Sequence, residues 1–162
     1  MVTIRLEQKP AFTVAGTKTW IAEVDDFAKF WQKCHDDGSV DALKALSNGG
    51  EVTGSDIFGV SRVENAPDKR DFFFYIAAEC AADGAGEFET FTIPAAQWAI
   101  FQSRGSVEKA LFEAEMYAFM EWLPSSGYIH AAAPELEVYP ARDGELVEFW
   151  LPVDFSLNRV CP

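Results

Sequence analysis

Residues Leu6–Gly16 read LEQKPAFTVAG, and a related segment, FTIPAAQWAIF, occupies Phe91–Phe101. In both segments a proline lies within a region whose alternating pattern predicts a β-strand. A second pair follows in the same order, with FFFYIAAE at Phe72–Glu79 and VEFWLPVD at Val147–Asp154. Two such pairs in one chain predict an internal duplication.

Each half predicts the order strand, helix, strand, strand. The first helix is indicated by acidic Asp25 and Asp26, followed by an apolar stripe at helical spacing: Phe27, Phe30, Trp31 and Cys34. The second, at about 107–122, has an inner stripe of Leu111, Ala114, Ala118 and Trp122. These patterns predict one α+β domain over 1–162, with duplicated β-α-β-β units at about 1–80 and 87–155. We expect pseudo-two-fold symmetry, two antiparallel sheet units side by side, two main helices and a central ligand cleft.

The net charge limits the classes of ligand. The chain has 162 residues, 13 basic and 26 acidic, and a formal net charge of −13. Binding to phosphate backbones needs clustered Lys and Arg, whereas the longest basic cluster here is Lys69–Arg70. We therefore expect no direct binding to nucleic acid, and the acidic field favours cationic ligands or basic partners.

Other classes of site lack a sequence signal. Three widely spaced cysteines (Cys34, Cys80 and Cys161) form no CxxC motif, so we expect neither a metal site nor a disulfide framework, and no cofactor motif is present. Cys34 and His35 are adjacent on a predicted helix, so their side chains diverge and do not suit a nucleophile–base pair. The sequence shows no signal pattern or membrane-spanning run, which predicts a cytoplasmic protein.

Carboxylates near the C-terminus are the remaining chemical candidates. The segment PELEVYP at Pro134–Pro140 alternates as a strand, and a hairpin with the next strand would place Glu137 and Tyr139 on one face with Phe149. That face could be solvated, or it could line a pocket in which a bound cation neutralises Glu137. The pattern alone leaves both interpretations open.

Three motifs are specific enough to carry a family resemblance. They are TIPAAQWAIF at 92–101, WLPSSGY at 122–128, and the E-x-Y of Glu137 and Tyr139 followed by VEFWLPV at 147–153. With these motifs in this order, the chain resembles the gyrase-inhibitor-like (GyrI-like), or AraC effector-binding, small-molecule-binding domains over nearly its whole length.

The resemblance implies a ligand cleft between the two halves. Glu137 matches the glutamate that lies at the base of an aromatic pocket and meets cationic ligands in multidrug-sensing members, and Tyr139 matches the tyrosine of the same motif. Further ligand-binding candidates are Trp31, Tyr75, Phe112, Tyr117 and Phe149. We expect four other residues to lie outside the pocket. Trp122 and Tyr128 should form a helix-to-strand corner, Trp150 should pack on the opposite face of the sheet, and Glu135 should lie at a rim or in solvent.

The resemblance also implies three functions. We expect a stand-alone module that binds a small, cationic, amphipathic organic compound and is related to the effector-binding domains of transcription regulators. A hydrolase of reactive electrophilic compounds, with Glu137 as general base, is the enzymatic alternative. A protein-binding inhibitor of the gyrase-inhibitor type is the third, in which the acidic chain binds a basic protein partner.

Overall fold

The computed structural model describes residues 1–155, and its first half contains four strands and two helices. In chain order these are β1 (Thr3–Lys9), β2 (Phe12–Ile21), α1 (Asp25–Asp36), α2 (Ser39–Leu46), β3 (Phe58–Arg62) and β4 (Phe72–Glu79). The two acidic residues at the start of α1 lie in its first turn, and the Asp26 carboxylate accepts hydrogen bonds from the backbone N–H groups of Ala22 and Glu23. The sequence pattern predicted α1 but not the short helix α2.

The second half repeats this order with additions at the end of its helix. After a 3₁₀ turn at Ala82–Gly84 come β5 (Glu89–Ile93), β6 (Ala96–Arg104), α3 (Val107–Met116), a π-helical segment (Tyr117–Trp122), α4 (Leu123–Ser126), β7 (Tyr128–His130), β8 (Glu135–Val138) and β9 (Leu146–Phe155). The predicted helix over 107–122 is therefore α3 together with the π-helical segment.

All nine strands belong to one antiparallel sheet. Its order is β1-β6-β9-β8-β3-β4-β2-β5, and β7 pairs with β9. The α+β class with an antiparallel sheet is confirmed, and the two sheet units expected side by side are joined into one continuous sheet. The halves join because β3 of the first half pairs with β8 of the second.

The two proline corners bend the sheet. Only Pro10 and Ala11 separate β1 from β2, and only Pro94 and Ala95 separate β5 from β6, although β1 and β5 lie at opposite ends of the strand order. Such a link spans about 10 Å at most, so the sheet must curl until its ends approach each other. The repeated proline is thus the sequence feature that brings the ends of the sheet together.

The curled sheet has one face covered by helices. Phe30 and Cys34 of α1 pack against β4 in one core cluster, and Ala114 and Ala118 pack against β6 and β9 in another. The opposite face of the sheet buries a third cluster, which includes Trp150, as the sequence predicted. The expected corner is also confirmed, since the rings of Trp122 and Tyr128 stack with centroids 5.4 Å apart.

Cysteine positions and helix lengths add two observations. Cys34 and Cys80 are buried free thiols, while Cys161 lies outside the described residues. Across residues 1–155, every helix is too short or too polar to cross a membrane.

Candidate functional site

The site is built where the two halves meet, on strands β3 and β8. In this pair Gly59 lies opposite Glu137, and Glu137 lies opposite Phe149 of β9 on its other side. Strand alternation turns Leu136 and Val138 to the helix-free face, where they are buried, and turns the intervening carboxylate towards the helices. The strands β8 and β9 pair as the hairpin that the sequence suggested, and Glu137 shares a face with Phe149.

Gly59 is required at this position because no side chain fits there. A Cβ added to Gly59 would lie 2.7 Å from the Phe74 ring and 2.9 Å from Oε2 of Glu137. The missing side chain lets the aromatic ring and the carboxylate pack directly on the β3 backbone.

Glu137 is almost completely enclosed, with 6% of its surface exposed. The Tyr139 hydroxyl donates a hydrogen bond of 2.9 Å to Oε2 of Glu137, and the ring of Trp31 from α1 meets the Tyr139 ring edge-on at 5.9 Å. Burial raises the pKa of Glu137 to about 7, and the charge of Glu135 acts in the same direction, while the Tyr139 hydrogen bond opposes both.

A second carboxylate, Glu115 of α3, belongs to the same electrostatic group. Burial and the charges of Glu137 and Glu135 raise the pKa of Glu115 to about 8, with Arg70 acting in the opposite direction. Among residues 1–155, neither Glu115 nor Glu137 forms a salt bridge with a basic side chain. At neutral pH these two carboxylates therefore hold at least one proton between them.

Glu135 has a different environment. It is 2% exposed, and its carboxylate accepts two hydrogen bonds from the Arg70 guanidinium, at 3.2 and 2.9 Å, and one of 2.9 Å from Nε2 of His130. The other ring nitrogen of His130, Nδ1, lies 2.6 Å from the Ala131 carbonyl oxygen. Burial alone would raise the pKa of Glu135, but the bonds from His130 and Arg70 hold it below its usual value.

These contacts correct the expectation for Glu135. It is neither a rim residue nor solvated, because it is two residues from Glu137 on the same strand and therefore faces the same helix-covered side. We call Glu115, Glu135 and Glu137 the acidic cluster. Among residues 1–155, only Glu135 in this cluster forms a salt bridge with an arginine.

The predicted ligand-binding residues divide into two groups. Tyr139 hydrogen-bonds to Glu137, Phe149 lies opposite Glu137 on β9, and Trp31 packs on Tyr139. Tyr117 packs on Phe101, with ring centroids 6.2 Å apart, over a neighbouring part of the sheet.

Tyr75 and Phe112 lie away from Glu137. Tyr75 is out of phase with Phe74, so it faces the other side of the sheet, where it packs on Phe91 and its hydroxyl hydrogen-bonds to Glu89. Phe112 is 62% exposed on the outer side of α3.

Phe119, Arg70, His130, Glu115 and Glu135 were missed as site residues. Glu115 and Phe119 each directly follow a residue of the predicted inner stripe on the second helix, so helical spacing could have identified them. Arg70 lies in the β3–β4 loop and His130 in the short strand β7, and neither carries a local sequence signal for this position.

Glu137 is buried, with 6% of its surface exposed. Two surface grooves lie elsewhere. One of about 490 Å³ is bordered by the start of α2 and the 85–88 segment, and one of about 380 Å³ runs along the outer side of α3, including Phe112 and Tyr117. Residues 1–155 contain no group of three His, Cys, Asp or Glu side chains arranged to hold a metal ion.

Solved structures share the fold at low sequence identity. SAV2435 bound to tetraphenylphosphonium is 20% identical with a TM-score of 0.79, and the match covers 98% of this chain and 97% of that one. The C-terminal domain of EcmrR is 16% identical with a TM-score of 0.62, covering 95% and 98%. An integron cassette protein from the mobile metagenome of Vibrio cholerae is 12% identical with a TM-score of 0.66, covering 93% and 95%.

Sequence comparison gives the family. No curated protein sequence matches this chain. A family model described as the GyrI-like small-molecule-binding domain matches residues 3–154, which is nearly the whole chain. With its curled antiparallel sheet and the helices that cover one face, the chain belongs to the GyrI-like family of small-molecule-binding domains.

Proposed function

We propose that this domain binds amphipathic organic cations between α1 and α3, over the acidic cluster. One observation carries the proposal: Glu137 is a buried carboxylate, Glu115 is half-buried, and neither forms a salt bridge among residues 1–155, whereas the neighbouring Glu135 pairs with Arg70. A buried carboxylate without a partner is costly when ionised and is neutralised instead by taking up a proton. A bound cation would replace that proton.

The surrounding rings suit the apolar part of such a ligand. Trp31 and Phe149 flank the Glu137 and Tyr139 side chains, and Phe119 packs on Phe149 with centroids 5.6 Å apart. Aromatic faces attract cations and stack on aromatic ligands. Because Glu137 is buried in the ligand-free protein, a ligand can reach its carboxylate only if some of these side chains move. The complex of SAV2435 with tetraphenylphosphonium supports this class of ligand.

The test uses three compounds of similar shape and different charge. Wild type is titrated by calorimetry with tetraphenylphosphonium, with the anion tetraphenylborate and with neutral triphenylphosphine oxide. We expect measurable binding of the cation only, and a loss of at least about tenfold in Glu137→Gln, because a desolvated ion pair is replaced by a neutral contact. Glu121→Gln, which removes the same charge from an exposed position in the π-helical segment, is the control and should bind as wild type does.

Proton release gives a second measurement in the same titrations. A cation favours the ionised form of Glu115 and Glu137, so binding at pH 7 should release protons. The release is obtained from binding enthalpies in phosphate and Tris buffers, which differ in their heats of ionisation. Equal affinity for cation and anion, or cation binding by Glu137→Gln at wild-type strength, would refute the proposal.

Hydrolysis of reactive electrophiles is a second candidate function, favoured by a separate observation. A pKa of about 7 for Glu137 suits a general base at neutral pH, and the Tyr139 hydroxyl at 2.9 Å is a donor positioned beside it. The test is turnover of an aryl epoxide by wild type, followed as diol formation. Turnover that disappears in Glu137→Gln supports this candidate, and absence of turnover by wild type rejects it for that substrate class.

A further inference from the structure

Arg70 holds its guanidinium against the acidic cluster from the β3–β4 loop. It makes a bidentate pair with Glu135, at 3.2 and 2.9 Å. The same group lies over two aromatic rings, 5.3 Å from the centroid of Phe72 and 5.2 Å from that of Phe119. The side chain remains 46% exposed to solvent, so it approaches the cluster from outside.

Arg70 makes the contacts that are expected of a bound organic cation. A delocalised cation lies on aromatic faces and is held by a buried carboxylate, which is the combination expected of a cationic ligand in such a site. Phe119 connects the two locations, because its ring contacts both Arg70 and Phe149, the residue opposite Glu137. The Arg70 charge also reaches Glu115, whose pKa it lowers.

We propose that Arg70 is a specificity-determining residue that occupies the Phe119 side of the acidic cluster in the ligand-free protein and must be displaced from Phe119 by an entering organic cation. The inference rests on the proposed function, and it adds that Arg70 competes with the cationic ligand for this place. Arg70 is positively charged at every accessible pH, so it opposes cations and leaves neutral compounds unaffected except by its volume.

Displacement is feasible because the chain around Arg70 is exposed to solvent. Lys69, Arg70 and Asp71 are exposed, and the Arg70 guanidinium donates to the nearby Pro67 carbonyl at 3.2 Å. A guanidinium that leaves Phe119 becomes hydrated, while Glu135 keeps its hydrogen bond to His130. The buried carboxylate is therefore never left without a partner.

The experiment compares two arginine variants. Arg70→Gln removes the guanidinium from Phe119, and the matched control Arg62→Gln removes a guanidinium that lies 4.3 Å from the Phe91 ring and pairs with Glu64 on the other face of the sheet. Both variants lose one positive charge, so a general electrostatic effect is the same in each. We expect Arg70→Gln to bind tetraphenylphosphonium about fivefold more tightly than wild type or better, and Arg62→Gln to stay within about twofold.

A second variant keeps the test valid if Arg70→Gln unfolds. Arg70→Gln combined with Glu135→Gln removes both members of the pair, so no buried carboxylate loses its partner, and it should also bind more tightly than Glu135→Gln alone. Thermal unfolding of each protein verifies that it is folded. Loss of a purely structural contact would weaken binding or leave it unchanged, and would not strengthen it.

The outcomes separate this inference from the proposed function. Cation binding that depends on Glu137 but is unchanged or weaker in both folded Arg70 variants would overturn the role of Arg70 and leave the proposed function standing. Equal tightening in Arg62→Gln would also overturn it, because the effect would then come from net charge. Absence of tetraphenylphosphonium binding by wild type and all variants would refute the proposed function, and this inference with it.

Discussion

Replacement of Glu137 by glutamine should make the ligand-free protein more stable while it weakens cation binding by at least about tenfold. Glutamine has nearly the same shape, and its side-chain oxygen can still accept the hydrogen bond from the Tyr139 hydroxyl. What it removes is a carboxylate that is 6% exposed and has no basic partner among residues 1–155. A residue retained for ligand binding at a cost in stability should behave in this way.

The magnitude follows from the pKa of Glu137, about 7 in the folded protein against a usual 4.5. Because the folded-state value is the higher one, the folded protein binds more protons between these pH values, and its free energy of unfolding falls as the pH rises. The difference between these two pKa values lowers the free energy of unfolding by about 3 kcal/mol at pH 8 and by less than about 1 kcal/mol at pH 5. Since Glu115 shares the protons, we expect Glu137→Gln to gain about 2 kcal/mol at pH 8, or about 5 °C in Tm.

The assay is thermal and urea unfolding from pH 5 to pH 8, with Glu135→Gln as the matched control. Glu135 is two residues away on the same face, but it is paired with Arg70 and His130, and its pKa is lowered. Its stabilising contribution is present above the usual pKa and is lost as the pH falls through the lowered one. Glu135→Gln should therefore destabilise the protein at pH 8 by about 1 to 2 kcal/mol.

Two results would refute this reasoning. One is a lower Tm for Glu137→Gln at pH 8, which would mean that the carboxylate stabilises the fold. The other is a stability difference from wild type that does not change between pH 5 and pH 8, because the cost of burying the charge would then be absent.

Two further substitutions test the geometry around Glu137. Gly59→Ala should lower Tm and weaken tetraphenylphosphonium binding, because its Cβ would lie 2.7 Å from the Phe74 ring and 2.9 Å from Glu137, whereas Gly144→Ala, with open space around it, should change neither. Unfolding and calorimetry measure both effects, and equal behaviour of the two variants contradicts the close packing. Tyr139→Phe should raise the pKa of Glu137 further, because the lost hydroxyl stabilises the carboxylate. The pH midpoint of cation binding, which should move upwards, reports this change, and an unchanged midpoint contradicts the role of the hydroxyl.

Several parts of this protein could be predicted from local sequence alone. The apolar spacing around Phe30 and Cys34 predicted α1, and the repeated proline segments predicted the duplication of elements, because helix and strand periodicities are properties of consecutive residues. The alternation of ELEVY together with the following strand predicted that Glu137 and Phe149 share a face, and the structure places them opposite each other on neighbouring strands. Resemblance to known domains then singled out Glu137 and Tyr139.

Other parts depended on contacts between distant segments. Period-two alternation shows that Glu135 and Glu137 share a face, but it cannot show which face the helices cover, so Glu135 was expected in solvent although it is buried. Arg70 and His130 reach Glu135 across separations of 65 and 5 residues, through a loop and a short strand without a periodic pattern.

Aromatic residues show the same division. Tyr75 and Phe112 are aromatic, as pocket residues often are. Tyr75 follows Phe74 on strand β4, so its side chain points to the opposite face of the sheet. Phe112 is exposed because α3 packs on the sheet through its other side. The sequence by itself predicted most of the elements and their repeated order, and the family resemblance singled out Glu137 as the candidate carboxylate. Tertiary structure alone decided which charges are paired, because burial and the approach of side chains from distant segments set the protonation and the partners of each glutamate.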